Sequence, residues 1–167
     1  MRMSRDTKSL DSLSLDLIKN HLQILTSDTQ DDTLLTHLKN ASFDYAEKYL
    51  HHPITSESYL APIDENNTYE LIHKPTNVYL YDNETLVEEV DFIYKNRQLI
   101  PNLPTTPPTF NTVKADVQGL DDNSITQARL LMIGSHYAVR ENENYSNQRE
   151  MPLGVHRLLD LAQMSLL

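Results

Sequence analysis

Seven histidines and a dense run of carboxylates are the groups with which this chain could do acid–base or metal chemistry. His51 and His52 are adjacent, so a helix or a strand points them apart. His21 and His37 fall on different predicted helices, and neither belongs to the Glu-x-x-His spacing that sets two ligands on one helical face. His136 lies beside Tyr137 in an apolar pattern and reads as a hydrogen-bonded core histidine. The segment 64–91 holds eight acids (Asp64, Glu65, Glu70, Asp82, Glu84, Glu88, Glu89 and Asp91) against Lys74 alone. Glu88, Glu89 and Asp91 could form a catalytic carboxylate cluster, but no partnered base or nucleophile accompanies them. Nor do the acids follow the Asp-x-Asp-x-Asp-Gly pattern of a calcium loop. Glu84, Glu88, Glu89 and Asp91 therefore read as a solvated acidic face, or as one that borders DNA without binding it.

Composition narrows the classes further. With 14 basic and 24 acidic residues the net charge is −10, which opposes general attraction to nucleic-acid phosphates. There is no cysteine, hence no disulfide, thiolate metal site or cysteine nucleophile. Glycine occurs only at 119, 134 and 154, too sparse for a phosphate-binding loop. No Gly-x-Ser-x-Gly, Walker or Rossmann pattern is present. The expectation is a non-enzyme with no cofactor and no metal. Residues 1–10 lack an apolar run, so neither a signal peptide nor a membrane span is expected there.

The elements that would position these residues follow from periodicity. Ser14 caps a helix over 15–24, with Leu15, Ile18, Leu22 and Leu25 at helical spacing. A second helix starts at Asp31 and Asp32, carries Leu34, Leu38, Ala41, Tyr45 and Tyr49 on one stripe, and stops before Pro53. The two should pack as an antiparallel pair. Strand-like runs follow at 69–73, 78–81, 90–94 and 110–117, with a turn at Asp82-Asn83-Glu84. Pro101, Pro104, Pro107 and Pro108 make a stiff connector. A third helix spans 124–141, opened by a Ser124/Gln127 capping box and apolar on two faces, so it should be central. A polar loop over 142–150 leads to Pro152 and a last helix burying Val155, Leu158, Leu159 and Ala162.

The expected fold is mainly α, a bundle of about four helices with a small inserted β-hairpin or meander. One domain, 1–167, would comprise a flexible tail (1–12), a helical pair (13–53), a β-rich insertion (54–120) and the central and C-terminal helices (121–167).

Two stretches, 13–50 and 124–159, carry a family pattern. Gln127-Ala128-x-Leu130-Leu131, His136-Tyr137-x-x-Arg140-Glu141 and Pro152-Leu153-Gly154-Val155-x-x-Leu158-Leu159 follow one another in order. They are preceded by the two N-terminal helices and the β-rich middle. This resembles the head–tail connector (adaptor) family of tailed bacteriophages and prophages. The resemblance implies a structural virion protein at the head–tail junction, assembled in the host cytoplasm. It implies a homo-oligomeric ring, a dodecamer, bound to the portal protein. The ring would extend the DNA channel, pass double-stranded DNA without specific binding and carry a neck or tail-completion protein. Interface candidates are then Tyr137, Arg140, Glu141, Leu153, Val155 and Leu158, although core packing accounts for the apolar ones equally well. The competing reading is an acidic, non-viral adaptor or inhibitor module that binds a protein partner.

Overall fold

The computed structural model describes residues 1–8, 11–63, 66–103, 110–120, 122–141 and 152–164. The chain forms two compact units, each built from two separated stretches. One comprises Met1–Leu10 and Thr55–Gly119, the other Asp11–Ile54 and Leu120–Leu167.

The second unit is helical: α1 (Leu15–Leu22), α2 (Asp32–Leu50), α3 (Asn123–Glu141) and α4 (Leu153–Met164). The Ser14 hydroxyl accepts from the Leu17 amide and caps α1 as expected. Gln23 ends the helix in the left-handed conformation, and its amide bonds back into the last turn. At the start of α3 the cap is Asp122 rather than Ser124. Its carboxylate accepts from the Ser124 amide and its carbonyl from Ile125 and Thr126. Central placement of α3 is correct, for it packs against the other three helices. Its two apolar faces serve two clusters. Ile125, Ala128 and Met132 join Ala46, Leu50, Val155, Leu159 and Ala162. Leu130 and Ile133 join Leu13, Ile18 and Leu35, with Tyr137 packed alongside.

The first unit overturns the mainly α expectation. It contains β1 (Ser4–Lys8), β2 (Glu57–Pro62), β3 (Tyr69–Glu70), β4 (Asn77–Asp82), β5 (Thr85–Glu89), β6 (Phe92–Lys95), β7 (Gln98–Pro101) and β8 (Thr112–Val117). These make two antiparallel sheets, of order β1-β2-β8-β4-β5 and β3-β7-β6. The fold is therefore α+β, with eight described strands beside four described helices. The stretch read as a flexible tail supplies β1. Pro101 closes β7, the middle strand of the smaller sheet, opposite Phe92. The run over 90–94 is not one strand, because β5 ends at Glu89 and β6 begins at Phe92.

β8 alternates between buried and half-buried positions, with Val113, Ala115 and Val117 pointing into the core. They pack with Ala61, Val78, Leu80, Leu99 and Tyr69. Both two-residue hairpin loops, Asn83-Glu84 and Asn96-Arg97, have positive φ at both positions, the geometry that matches strand twist. The proline connector at 104–109, the loop at 142–150 and the tail at 165–167 lie outside the described residues.

Candidate assembly surfaces

In the helical unit the expected interface residues separate by burial. Val155 is fully buried and Leu158 half-buried in the core, while Leu153 is 79% exposed. Leu161 and Met164 are exposed as well, on a face of α4 that they share with the exposed Arg157 and Asp160. Tyr137 is half-buried, and its hydroxyl donates to Asp31 Oδ2 at 2.6 Å, tying α3 to the start of α2. Arg140 and Glu141 occupy the last turn of α3; their side chains lie outside the described residues. His136 is exposed, not a core histidine.

Sequence reasoning missed the polar centre of this unit. Arg129 is 2% exposed and sits on the central helix. Its two terminal nitrogens donate to the two Asp11 oxygens, each at 2.7 Å. Its Nε reaches Ser42 Oγ at 3.4 Å, and the guanidinium lies over the Phe43 ring at 5.2 Å. Burial pushes the Asp11 carboxyl up. The Arg129 guanidinium, the Leu13 amide and Lys39 outweigh that and hold it below its ordinary value. The only sequence signal was an arginine interrupting the apolar pattern of α3. Lys19 is buried as well: its Nζ donates to the Thr26 and Asp28 carbonyls and pairs with Asp32 at 2.6 Å. On the α2–α4 seam Tyr49 donates to Asp160 at 2.7 Å and packs against His156 and Tyr45.

In the β unit Glu84, Glu88, Glu89 and Asp91 are all exposed. Glu84 is in the β4–β5 turn, and Glu88 and Glu89 end β5. Glu88, Glu89 and Asp91 line one concavity with Thr76, Asn77 and Asn102. Thr76, Asn77 and Asn102 bring hydroxyl and amide groups to these carboxylates, and no histidine, lysine or arginine lines the concavity. The buried acid of this unit is elsewhere. Glu57, 6% exposed, accepts from Arg5 at 3.1 Å and from the Tyr59 hydroxyl, and pairs with Lys8 at 3.3 Å. Burial raises the Glu57 pKa, and the Tyr59, Lys8 and Arg5 groups together bring it below its ordinary value. Among the described residues no three His, Asp or Glu side chains converge as metal ligands. None of the described helices is long and apolar enough to cross a membrane.

No protein-family model matches the chain, and no curated protein matches it in sequence. Solved structures do match in fold. A chain in the neck of an empty gene transfer agent (GTA) particle, computed with C6 symmetry, superposes with a TM-score of 0.55 at 19% identity. The match covers 97% of this chain and 95% of that one. A chain in the neck of a native GTA particle, computed with C12 symmetry, gives 0.53 at 18% identity over 97% and 94%. A chain in the virion of a native GTA particle gives 0.51 at 18% identity over 90% and 88%. At these identities the likeness is one of fold, and it extends over nearly the whole of both chains.

Proposed function

We propose that this chain is a structural neck protein of a tailed, phage-like particle, a head–tail connector that acts without catalysis. The observation that carries the reading is the near full-length fold likeness to neck chains of GTA particles. Three further features support it. The motif order over 13–50 and 124–159 resembles connector proteins. No histidine, lysine or arginine lines the concavity of Glu88, Glu89 and Asp91. A net charge of −10 per copy repels passing DNA mildly, whereas strong phosphate contacts would brake its exit.

In this role copies of the chain form a ring, a dodecamer, on the portal protein. The ring extends the DNA channel at the head–tail junction and presents a platform to the next neck or tail-completion protein. Leu153, Leu161 and Met164, exposed on α4, are the helical unit's contribution to that docking.

Co-production with portal protein tests the reading, with particles examined by native mass spectrometry and electron microscopy. The expected result is a rotationally symmetric ring of this chain on portal particles. A chain that stays monomeric beside intact portal rings overturns the proposal and favours the acidic adaptor or inhibitor module.

A further inference from the structure

Neighbours related by rotation in a ring meet head to tail, so each copy must carry two different, mutually complementary patches. The β unit displays such a pair already fitted together: the segment 1–8 and the sheet edge on which it lies. This segment stands apart in chain order. Met1–Leu10 belongs with Thr55–Gly119, yet the chain passes straight from it into the helical unit at Asp11 and returns to the β unit only at Thr55.

The fit is specific. β1 pairs antiparallel with β2, with Ser4 opposite Leu60 and Lys8 opposite Glu57, and the Ser4 hydroxyl donates to the Leu60 carbonyl. Ahead of β1 the chain runs beside β3. There the Glu70 amide donates to the Met1 carbonyl, and the Met3 amide to the Glu70 carbonyl. Met3 is buried among the core residues of this unit, with Ala61, Tyr69 and Leu71. Arg5 and Lys8 both reach the buried Glu57 carboxylate. A foreign strand added at this edge could satisfy the β2 backbone, but it would leave Glu57 buried without its two cations. The edge therefore selects an apolar residue followed two and five places later by cations, which Met3-Ser4-Arg5-Asp6-Thr7-Lys8 supplies.

The hold is also shallow. Every residue of β1 is exposed, and Met3 alone of residues 1–8 is buried. Passing this segment to a neighbouring copy keeps each of these contacts and changes only the chain to which it belongs, which makes exchange of an identical element a low-cost link between copies.

We propose that β1 is an exchanged strand. In the assembled ring, residues 1–8 of one copy lie on β2 and beside β3 of the next, and Arg5 and Lys8 pair with the Glu57 of that next copy. Each copy is then donor on one side and acceptor on the other. This deepens the ring reading and rests on it.

The chain has no cysteine, so introduced thiols report on this pairing alone. Ser4→Cys/Leu60→Cys places two thiols directly opposite one another, in a pair that leaves Arg5, Lys8 and Glu57 untouched. The variant is assembled on portal particles, treated with a short bifunctional thiol reagent and denatured. A covalent ladder of multimers is expected. Rings whose denatured chains remain single overturn the exchange and leave the ring reading intact. Failure of the unmodified chain to form rings removes both.

Charge reversal is the second arm. Arg5→Glu/Lys8→Glu makes the donated strand acidic, and Glu57→Lys makes the accepting edge basic. Each variant alone is mismatched, and should lower ring yield by roughly tenfold or more. Co-produced, the two should assemble again. The basic strand of the second then meets Glu57 of the first, and the acidic strand of the first meets the lysine introduced in the second. Without exchange each copy keeps its own mismatch and co-production rescues nothing. Variants that both assemble normally alone, or that stay unassembled together, overturn the proposal.

Discussion

The two units bury opposite charges and secure them differently. The helical unit encloses a cation, Arg129, whose one carboxylate partner among the described residues is Asp11, 118 residues away in sequence. The β unit encloses an anion, Glu57, with three donors: Arg5 and Lys8 from the edge strand and Tyr59 from its own. A guanidinium with a single bidentate carboxylate has no substitute when that partner is lost. A carboxylate with three donors loses only a share. The helical unit should thus be brittle to one substitution, and the β unit tolerant of several.

The comparison breaks most readily at Asp11. Asp11→Ala leaves Arg129 buried and uncompensated, and should cost about 3–5 kcal/mol in a urea titration. Hydrogen exchange should place the loss in α3. Arg129→Met, which removes the charge with the need for its partner, should cost clearly less than Asp11→Ala. Equal losses would mean that the ion pair is no keystone.

Glu57→Gln comes next, at about 1–3 kcal/mol, because Arg5 and Lys8 can turn to solvent. Acid sharpens the same contrast. Both carboxyls have folded pKa values below their ordinary 3.8 and 4.5. Their stabilisation is fully present above those values and lost as pH falls through the lower, folded ones. Asp11→Asn and Glu57→Gln should each flatten the acid limb of the stability curve, the former in helical amides and the latter in strand amides. A smaller loss, about 1 kcal/mol, is expected for Tyr137→Phe, which removes one hydrogen bond to Asp31. Leu153→Ser should change stability by no more than about 0.5 kcal/mol, since the side chain is exposed. Association with portal is its informative readout.

The helices were legible because burial imposes a period: Ile18, Leu35, Leu130 and Val155 all fall where the pattern puts them. The sheets were not, and the reasons are specific. β1 and β5 are exposed on both faces, so nothing in Ser-Arg-Asp-Thr-Lys or Thr-Leu-Val-Glu-Glu had to alternate. β2 points a charged residue, Glu57, inward. β3 is only two residues long. The Asn96-Arg97 hairpin lacks the glycine that marks such turns. The four acids of the candidate site were legible by type. Their neighbours in the concavity, Thr76, Asn77 and Asn102, are brought there by strand pairing, which the sequence does not display.

The chain-order discontinuity of the helical unit has a consequence for synthesis. α1 and α2 leave the ribosome well before α3, and the whole of 55–119 is made in between. The β unit's long central stretch can begin to pair while the helical core still lacks its middle. The Asp11–Arg129 pair cannot form until residue 129 is made, and it closes a loop of 118 residues, a contact of high sequence separation. Chains stalled before residue 123 should accordingly expose the apolar faces of α1 and α2 and depend most on chaperones.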